Sequence, residues 1–303
     1  MDVASKYKFN IKLSLKMKKI SGIYKLILCI SLFESFLINQ SSAFFPTINE
    51  PNKQELESTA IQIGKTAIQL IQFGQNNEAI KLLELAVKLN PNEIDLWTSL
   101  AEVQVRLNRN SQALSSLNKA IILRPDEQNI YLRKASIYMN LNDPQKAKIA
   151  IKKGLSINKN NERAYFQLGN VEIMLNDYKA ALIAFKKSSK INSNFWQSIN
   201  NEGLVLYELN NFKEAILKFR SAVKISNDAE PMLALAIVLY FSDNKSIESL
   251  SLAKNALKAN PKYVSKEYQA KQLWGKKLQK SAQLLFKNQK MKKVVTEAKE
   301  KTQ

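Results

Sequence analysis

The chemistry open to this 303-residue chain is narrow before any fold is considered. Histidine is absent, and Cys29 is the only cysteine. Zinc sites of the usual Cys and His type, thiolate nucleophiles and imidazole general bases all lack their residues. What remains is carboxylate, hydroxyl and lysine. The carboxylates are scattered at helical spacings, as in Glu78 and Glu84 or Glu208 and Glu214, a pattern of solvated helix faces rather than of a paired acid and base. Seven glycines are spread without clustering, so the sequence offers no phosphate-cradling loop. No metal and no cofactor is expected.

The elements that must position such residues follow from a ruler. Alanine stands at 79, 113, 147, 181 and 215, an interval of 34, and Pro91, Pro125 and Pro261 fall on the same frame. Reading from Ala60 gives six units, 60–93, 94–127, 128–161, 162–195, 196–229 and 230–263, with no insertion between them. Place 4 of each unit holds Ile63, Trp97, Tyr131, Tyr165, Ile199 or Leu233, and place 8 holds Ala67, Ala101, Ala135, Gly169, Gly203 or Ile237. In the second half, place 20 carries the five alanines and then Ser249, place 24 carries Leu83, Leu117, Ile151, Phe185, Phe219 and Ala253, and place 27 is always small. Polar breaks such as Asn108-Arg109-Asn110 and Leu209-Asn210-Asn211 separate the halves. Each unit reads as helix, turn, helix: small places 8, 20 and 27 let two antiparallel helices approach, and places 4 and 24 fill the space beside that contact.

On these residues the chain resembles the tetratricopeptide repeat (TPR) family, unit two showing the pattern as Trp97, Leu100, Ala101, Ala113, Leu117, Ala120 and Pro125. The resemblance implies an all-α, right-handed α-solenoid of about six helix-turn-helix units over 60–263, whose concave face, lined by first helices, binds extended or helical peptides. Places 2, 5, 9, 12 and 13 would face that groove. The expected groove residues are Thr98, Glu102, Leu132, Met139, Arg163, Phe166, Asn170, Asn200, Leu204 and Tyr207, with Asn170 and Asn200 as backbone clamps and Phe166, Met139 and Tyr207 as apolar contacts. Chaperone-adaptor members resemble one another in a Lys and Asn clamp for a terminal carboxylate. Here place 5 reads Gly64, Thr98, Leu132 and Phe166, and place 9 reads Ile68, Glu102, Ser136 and Asn170, so that clamp is missing. Gln104 and Glu172 at place 11 and Lys134 and Glu202 at place 7 depart from the pattern.

Ahead of the repeats, Lys16, Lys18 and Lys19 precede the apolar run Leu26 to Phe33 and then Ser41-Ser42-Ala43, the order of a secretory signal over 1–43 with Met17 as an alternative start. The stretch from Leu26 to Ile38 contains Glu34 and falls short of the ~20 apolar residues of a spanning helix. Residues 44–59 lead into the first helix. Cleavage after Ala43 would leave a cysteine-free protein in the periplasm or, by weaker resemblance to exported cyanobacterial and plastid members, the thylakoid lumen. The formal charge of +20 is uneven: 1–43 carry +5 and 262–303 carry +9, leaving +6 for 44–261. Mildly basic, lysine-rich repeats with few arginines argue against nucleic acid. In the C-terminal segment, Trp274, Leu278, Ala282 and Leu285 form a helical stripe, read as a capping helix over 264–287. Residues 288–303 read as a frayed or disordered lysine tail with weak attraction to an anionic membrane. The function expected is a non-catalytic scaffold or assembly factor outside the cytoplasm, the alternative a peripheral membrane or envelope adaptor of the pilus or outer-membrane assembly type.

Overall fold

The structure, a computed structural model, describes residues 52–242 and 246–302. The expected signal, Met17 and the Ala43 cleavage site lie outside them. The chain from Lys53 onward forms one compact unit. Its first helices are α1 (Lys53–Gln72), α3 (Ile94–Arg106), α5 (Gln128–Asn140), α7 (Glu162–Met174), α9 (Trp196–Glu208) and α11 (Ala229–Ser242). Each pairs with the second helix of its unit: α2 (Asn76–Leu89), α4 (Asn110–Leu123), α6 (Pro144–Ile157), α8 (Tyr178–Ile191), α10 (Phe212–Ile225) and α12 (Ser246–Ala259). Each second helix also packs on the first helix of the next unit, which makes the array continuous.

One backbone device repeats at the turns. Gly74, Asn108, Asn142, Asn176 and Asn210, all at place 15, have φ of 76°, 59°, 55°, 61° and 65°. This left-handed residue lets the N–H at place 16 reach back to the carbonyl at place 11, as from Arg109 to Gln104 (2.7 Å) and from Asp177 to Glu172 (2.8 Å). The first helix is thereby closed with glycine or asparagine, the residues that tolerate this conformation best. The second helix then opens on Asp143 or Asp177, whose carboxylates accept from the N–H of Lys146 (3.1 Å) and Ala180 (2.9 Å).

The core is set by volumes matched across each helix pair. Where place 8 is Ala67, Ala101 or Ala135, place 24 is Leu83, Leu117 or Ile151; where place 8 is Gly169 or Gly203, place 24 is Phe185 or Phe219. A methyl group at Gly169 would lie 2.4 Å from the Phe185 ring, and one at Gly203 would lie 2.6 Å from Phe219. The sixth unit reverses the pair, with Ile237 opposite the short Ala253, both fully buried. Departures at places 7 and 11 are satisfied. Gln104 accepts from the Ser116 hydroxyl (2.8 Å), Glu172 pairs with Lys148 (2.8 Å), Glu202 with Lys218 (2.7 Å), and Lys134 donates to Asn118 (2.9 Å). Trp97 and Tyr131 each donate to the carbonyl of the proline that ends the preceding unit, Pro91 (2.8 Å) and Pro125 (2.9 Å).

The C-terminal segment corrects the sequence reading. In place of one capping helix and a loose tail, it forms a 3-10 turn (Pro261–Val264), α13 (Lys266–Lys271), α14 (Lys276–Phe286), a second 3-10 turn (Gln289–Met291) and α15 (Lys292–Glu300). The stripe Trp274, Leu278, Ala282 and Leu285 is buried, but α14 lies on the first helices α9 and α11, not on the end of the array. It is α15 that packs on α12 and the first 3-10 turn, burying Val294, Val295 and Ala298, while the second 3-10 turn buries Met291 against α12. The tail's few apolar residues, spaced at three and four, are enough for one amphipathic face; the lysine count concealed it.

Two predictions follow from this packing. Gly169→Val is expected to lower stability by about 1–3 kcal/mol through overpacking and Phe185→Ala by about 3–5 kcal/mol through the cavity left, read as urea midpoints. The second concerns Glu230, which accepts from the Trp274 indole N–H (2.8 Å) at the entry to α14. Burial, with a smaller push from Asp228, raises its carboxyl from 4.5 to about 7. The folded state then holds a proton the unfolded chain releases, so this stabilisation is full below about pH 4.5 and is lost as pH rises through about 7. The midpoint is expected to fall between pH 5 and pH 8, and Glu230→Gln to flatten that fall.

Candidate peptide-binding trough

The first-helix face divides in two. Over units two to four it is open. The α3 and α5 residues Glu102, Val105, Arg106, Arg133, Ser136 and Asn140 line a cavity of about 300 Å³. It runs on into a second, of about 410 Å³, between α5 and α7, where Ser136, Met139 and Asn140 face Arg163, Phe166, Gln167, Asn170 and Phe195. A third, of about 620 Å³, shares Met139, Asn140, Phe166 and Asn170 and is walled on its far side by the C-terminal Tyr263, Tyr268, Lys271 and Leu273. Shared lining residues make these a single trough along successive first helices.

Within it the expected residues behave unequally. Phe166 is half-buried, its ring tilted against Phe195 (5.1 Å) and Phe185 (5.8 Å), so it is an apolar platform fixed from behind. Asn170 accepts from the Asn201 amide (3.0 Å), which orients its own amide N–H group. Met139 and Arg163 stand beside them on the trough wall. Glu102 joins Arg106 (3.0 Å) to Arg133 (3.4 Å), tying α3 to α5 across the floor. Thr98 bonds back to its own helix at Asp95 (3.1 Å) and lines a recess of about 260 Å³ with Arg124 and Asn129, on the other side of Arg133 from the trough's first cavity.

Four expected groove residues are not open to a ligand. Leu132 is buried in the core beside Gly154. Leu204 lies in the core cluster that includes Trp274 and Leu278, and Asn200 is fully buried with only a 3.4 Å bond to Asn201. Tyr207 is buried and donates to Ser281 (2.8 Å); burial raises its phenol above the usual value. For the unit-five residues the reason lies in α14, which packs on α9 and α11. The Glu208 carboxylate accepts from the backbone N–H groups of Lys277 (3.3 Å) and Leu278 (2.9 Å), capping the helix, while the Lys277 ammonium donates to the Glu208 carbonyl (2.6 Å) and to Asn210 (2.7 Å). Gly275 permits this approach, since a methyl group there would lie 2.1 Å from the Glu208 carboxyl carbon. Only a 74-residue separation in the chain joins Tyr207 to Ser281, a contact no local pattern announces.

Sequence reasoning missed Arg133 at place 6, Phe195 at place 34 and the C-terminal wall. Phe195 carried a usable signal, a large aromatic just ahead of a first helix. Among the described residues no group of acidic or cysteine side chains could hold a metal ion, and no helix is long and apolar enough to cross a membrane.

Models of the tetratricopeptide repeat match residues 70–122, 128–161 and 162–195, the last two coinciding with units three and four. No curated protein matches the sequence. Among solved structures, PilF of Pseudomonas aeruginosa is similar with a TM-score of 0.58 at 18% identity, over 72% of this chain and 99% of its own. PilW, described as a widely conserved type IV pilus biogenesis factor, gives 0.55 at 18%, over 73% and 97%. MamA gives 0.51 at 21%, over 57% and 93%. At these identities the likeness is one of fold, and it agrees with the repeat matches and the helix pairing: the chain is a tetratricopeptide-repeat solenoid.

Proposed function

We propose that this chain is a non-catalytic scaffold that holds a segment of client polypeptide in the trough over units two to four, outside the cytoplasm. As a TPR solenoid it is built for protein interaction. The observation that carries the reading is the way its own C-terminal segment is held. At unit five, a helix start with two free backbone N–H groups lies on a first-helix carboxylate, with a hydroxyl on a tyrosine and an apolar stripe underneath. The same face over units two to four presents Phe166 and Met139 as apolar surfaces, Asn140 and Asn170 as amides, and Arg163 as an exposed charge, with the C-terminal Tyr263, Tyr268 and Leu273 walling one side of the cavity that the first four line. An extended segment with alternating apolar side chains suits that lining, since its backbone meets amides and its anchors meet aromatic and thioether surfaces.

Export is supported by the basic, apolar and small-residue order of 16–43 and by a repeat region that needs neither histidine nor cysteine. A role in assembling a larger envelope structure accords with PilW, described as a pilus biogenesis factor, although the shared feature is the fold. Affinity capture from native cells tests the trough. Phe166→Ala combined with Asn170→Ala is expected to reduce client recovery by at least about tenfold, the loss typical of central interface anchors, with the thermal midpoint little changed. Recovery indifferent to both substitutions would remove the trough from the account.

A further inference from the structure

The charge of the repeats is divided by face. In units three to five the first helices α5, α7 and α9 carry +2, −1 and −2, a total of −1; the second helices α6, α8 and α10 carry +4, +4 and +3, a total of +11. Helices α6 and α8 have four lysines each and no carboxylate. Lys148 and Lys218 turn inward to the buried Glu172 and Glu202. Lys152, Lys153, Lys179, Lys186 and Lys190 are exposed and have no ion-pair partner among the described residues.

An aliphatic row runs through this cationic field. Ile149, Ile183 and Leu217 all occupy place 22, and they are 69%, 70% and 65% exposed, while their neighbours at place 20 are completely buried. Single exposed aliphatic residues are ordinary, but three in one register, each with cations three or four residues away on the same helix face, form a pattern that core packing does not require. The face is continuous from helix to helix. Arg220 at place 25 of unit five reaches Glu248 at place 19 of unit six (2.7 and 3.0 Å), and the same register sets Lys152 and Lys186 toward the next second helix.

We infer that the outer face of α6, α8 and α10 docks on an anionic lipid surface, the row Ile149, Ile183 and Leu217 entering the headgroup boundary while the surrounding lysines engage lipid phosphates. Lipid fits better than the other anionic partners. Protein interfaces favour tyrosine, tryptophan and arginine at their centres and are depleted in lysine, and single-stranded nucleic acid needs aromatic platforms, whereas this row is aliphatic and its fringe mostly lysine. Lysine stems can lie along the apolar row with their ammonium groups at headgroup level. This surface is separate from the trough, so either can fail without the other.

Co-sedimentation with vesicles tests the inference. Residues 53–303, a compact unit with a core of its own, keep the apolar N-terminal stretch out of the assay. Binding is expected to vesicles of phosphatidylcholine and phosphatidylglycerol in equal parts, to weaken with salt, and to be at least about tenfold weaker with phosphatidylcholine alone. Lys152→Gln, Lys186→Gln and Lys190→Gln together are expected to weaken it by about fivefold per lysine. Ile149→Ser, Ile183→Ser and Leu217→Ser together are expected to weaken it about tenfold or more at unchanged helical content and thermal midpoint. Equal binding to both vesicle types overturns the inference. So does a serine variant that binds as the parent does, since the aliphatic row then enters no lipid, and so does soluble polyglutamate that competes as well as vesicles do, which marks the face as a site for an acidic protein.

Discussion

The contact on which the rest depends is the meeting of place 8 with place 24 inside each helix pair. Alanine faces leucine or isoleucine, glycine faces phenylalanine, and isoleucine faces alanine, so the volume between the helices is nearly conserved while its ownership changes. Close-packed interiors demand that balance, because a methyl group too many displaces a ring and one too few leaves a void. With the pair fixed, the left-handed residue at place 15 of units one to five returns the chain at a similar angle, and successive first helices arrive on the same face. Both surfaces, trough and outer row, inherit their regularity from this contact.

The two surfaces have opposite characters for a physical reason. First helices are packed on three sides, so their carboxylates at places 7 and 11 survive only by pairing with lysines that the second helices lend them, as Lys148 serves Glu172 and Lys218 serves Glu202. Second helices keep a wide solvent face and can carry charge at little cost. Basic residues therefore accumulate outside, and the inner face is left to amides, aromatic rings and a few arginines.

How much was legible in the sequence follows from the range of each interaction. Ala79 to Ala215, the place-24 bulk and the polar breaks act within one unit, so the repeat frame and the helix-turn-helix reading were fully visible. Phe166, Met139, Asn170 and Arg163 were placed on the trough by the same frame. The same frame sets Asn200, Leu204 and Tyr207 beside these, yet all three are buried, and Leu204 and Tyr207 meet Trp274, Leu278 and Ser281, whose docking depends on Glu208 and Gly275 meeting across the chain. No periodicity encodes that. Leu132 failed differently: place 5 faces the groove at Phe166 but the core at Leu132, where Gly154 leaves room for it. In the tail, a high lysine count hid Met291, Val294 and Val295, whose spacing alone gives a buried stripe.

We propose the inner face over units two to four as the polypeptide-binding surface. Photo-cross-linking inside producing cells tests this most directly, with a benzophenone side chain in place of Met139 on the trough wall or of Ile183 on the outer face. Polypeptide adducts at 139 and none at 183 are predicted. Adducts at 183 with none at 139 would contradict the account, since the client would then lie on the lysine-rich side of the array.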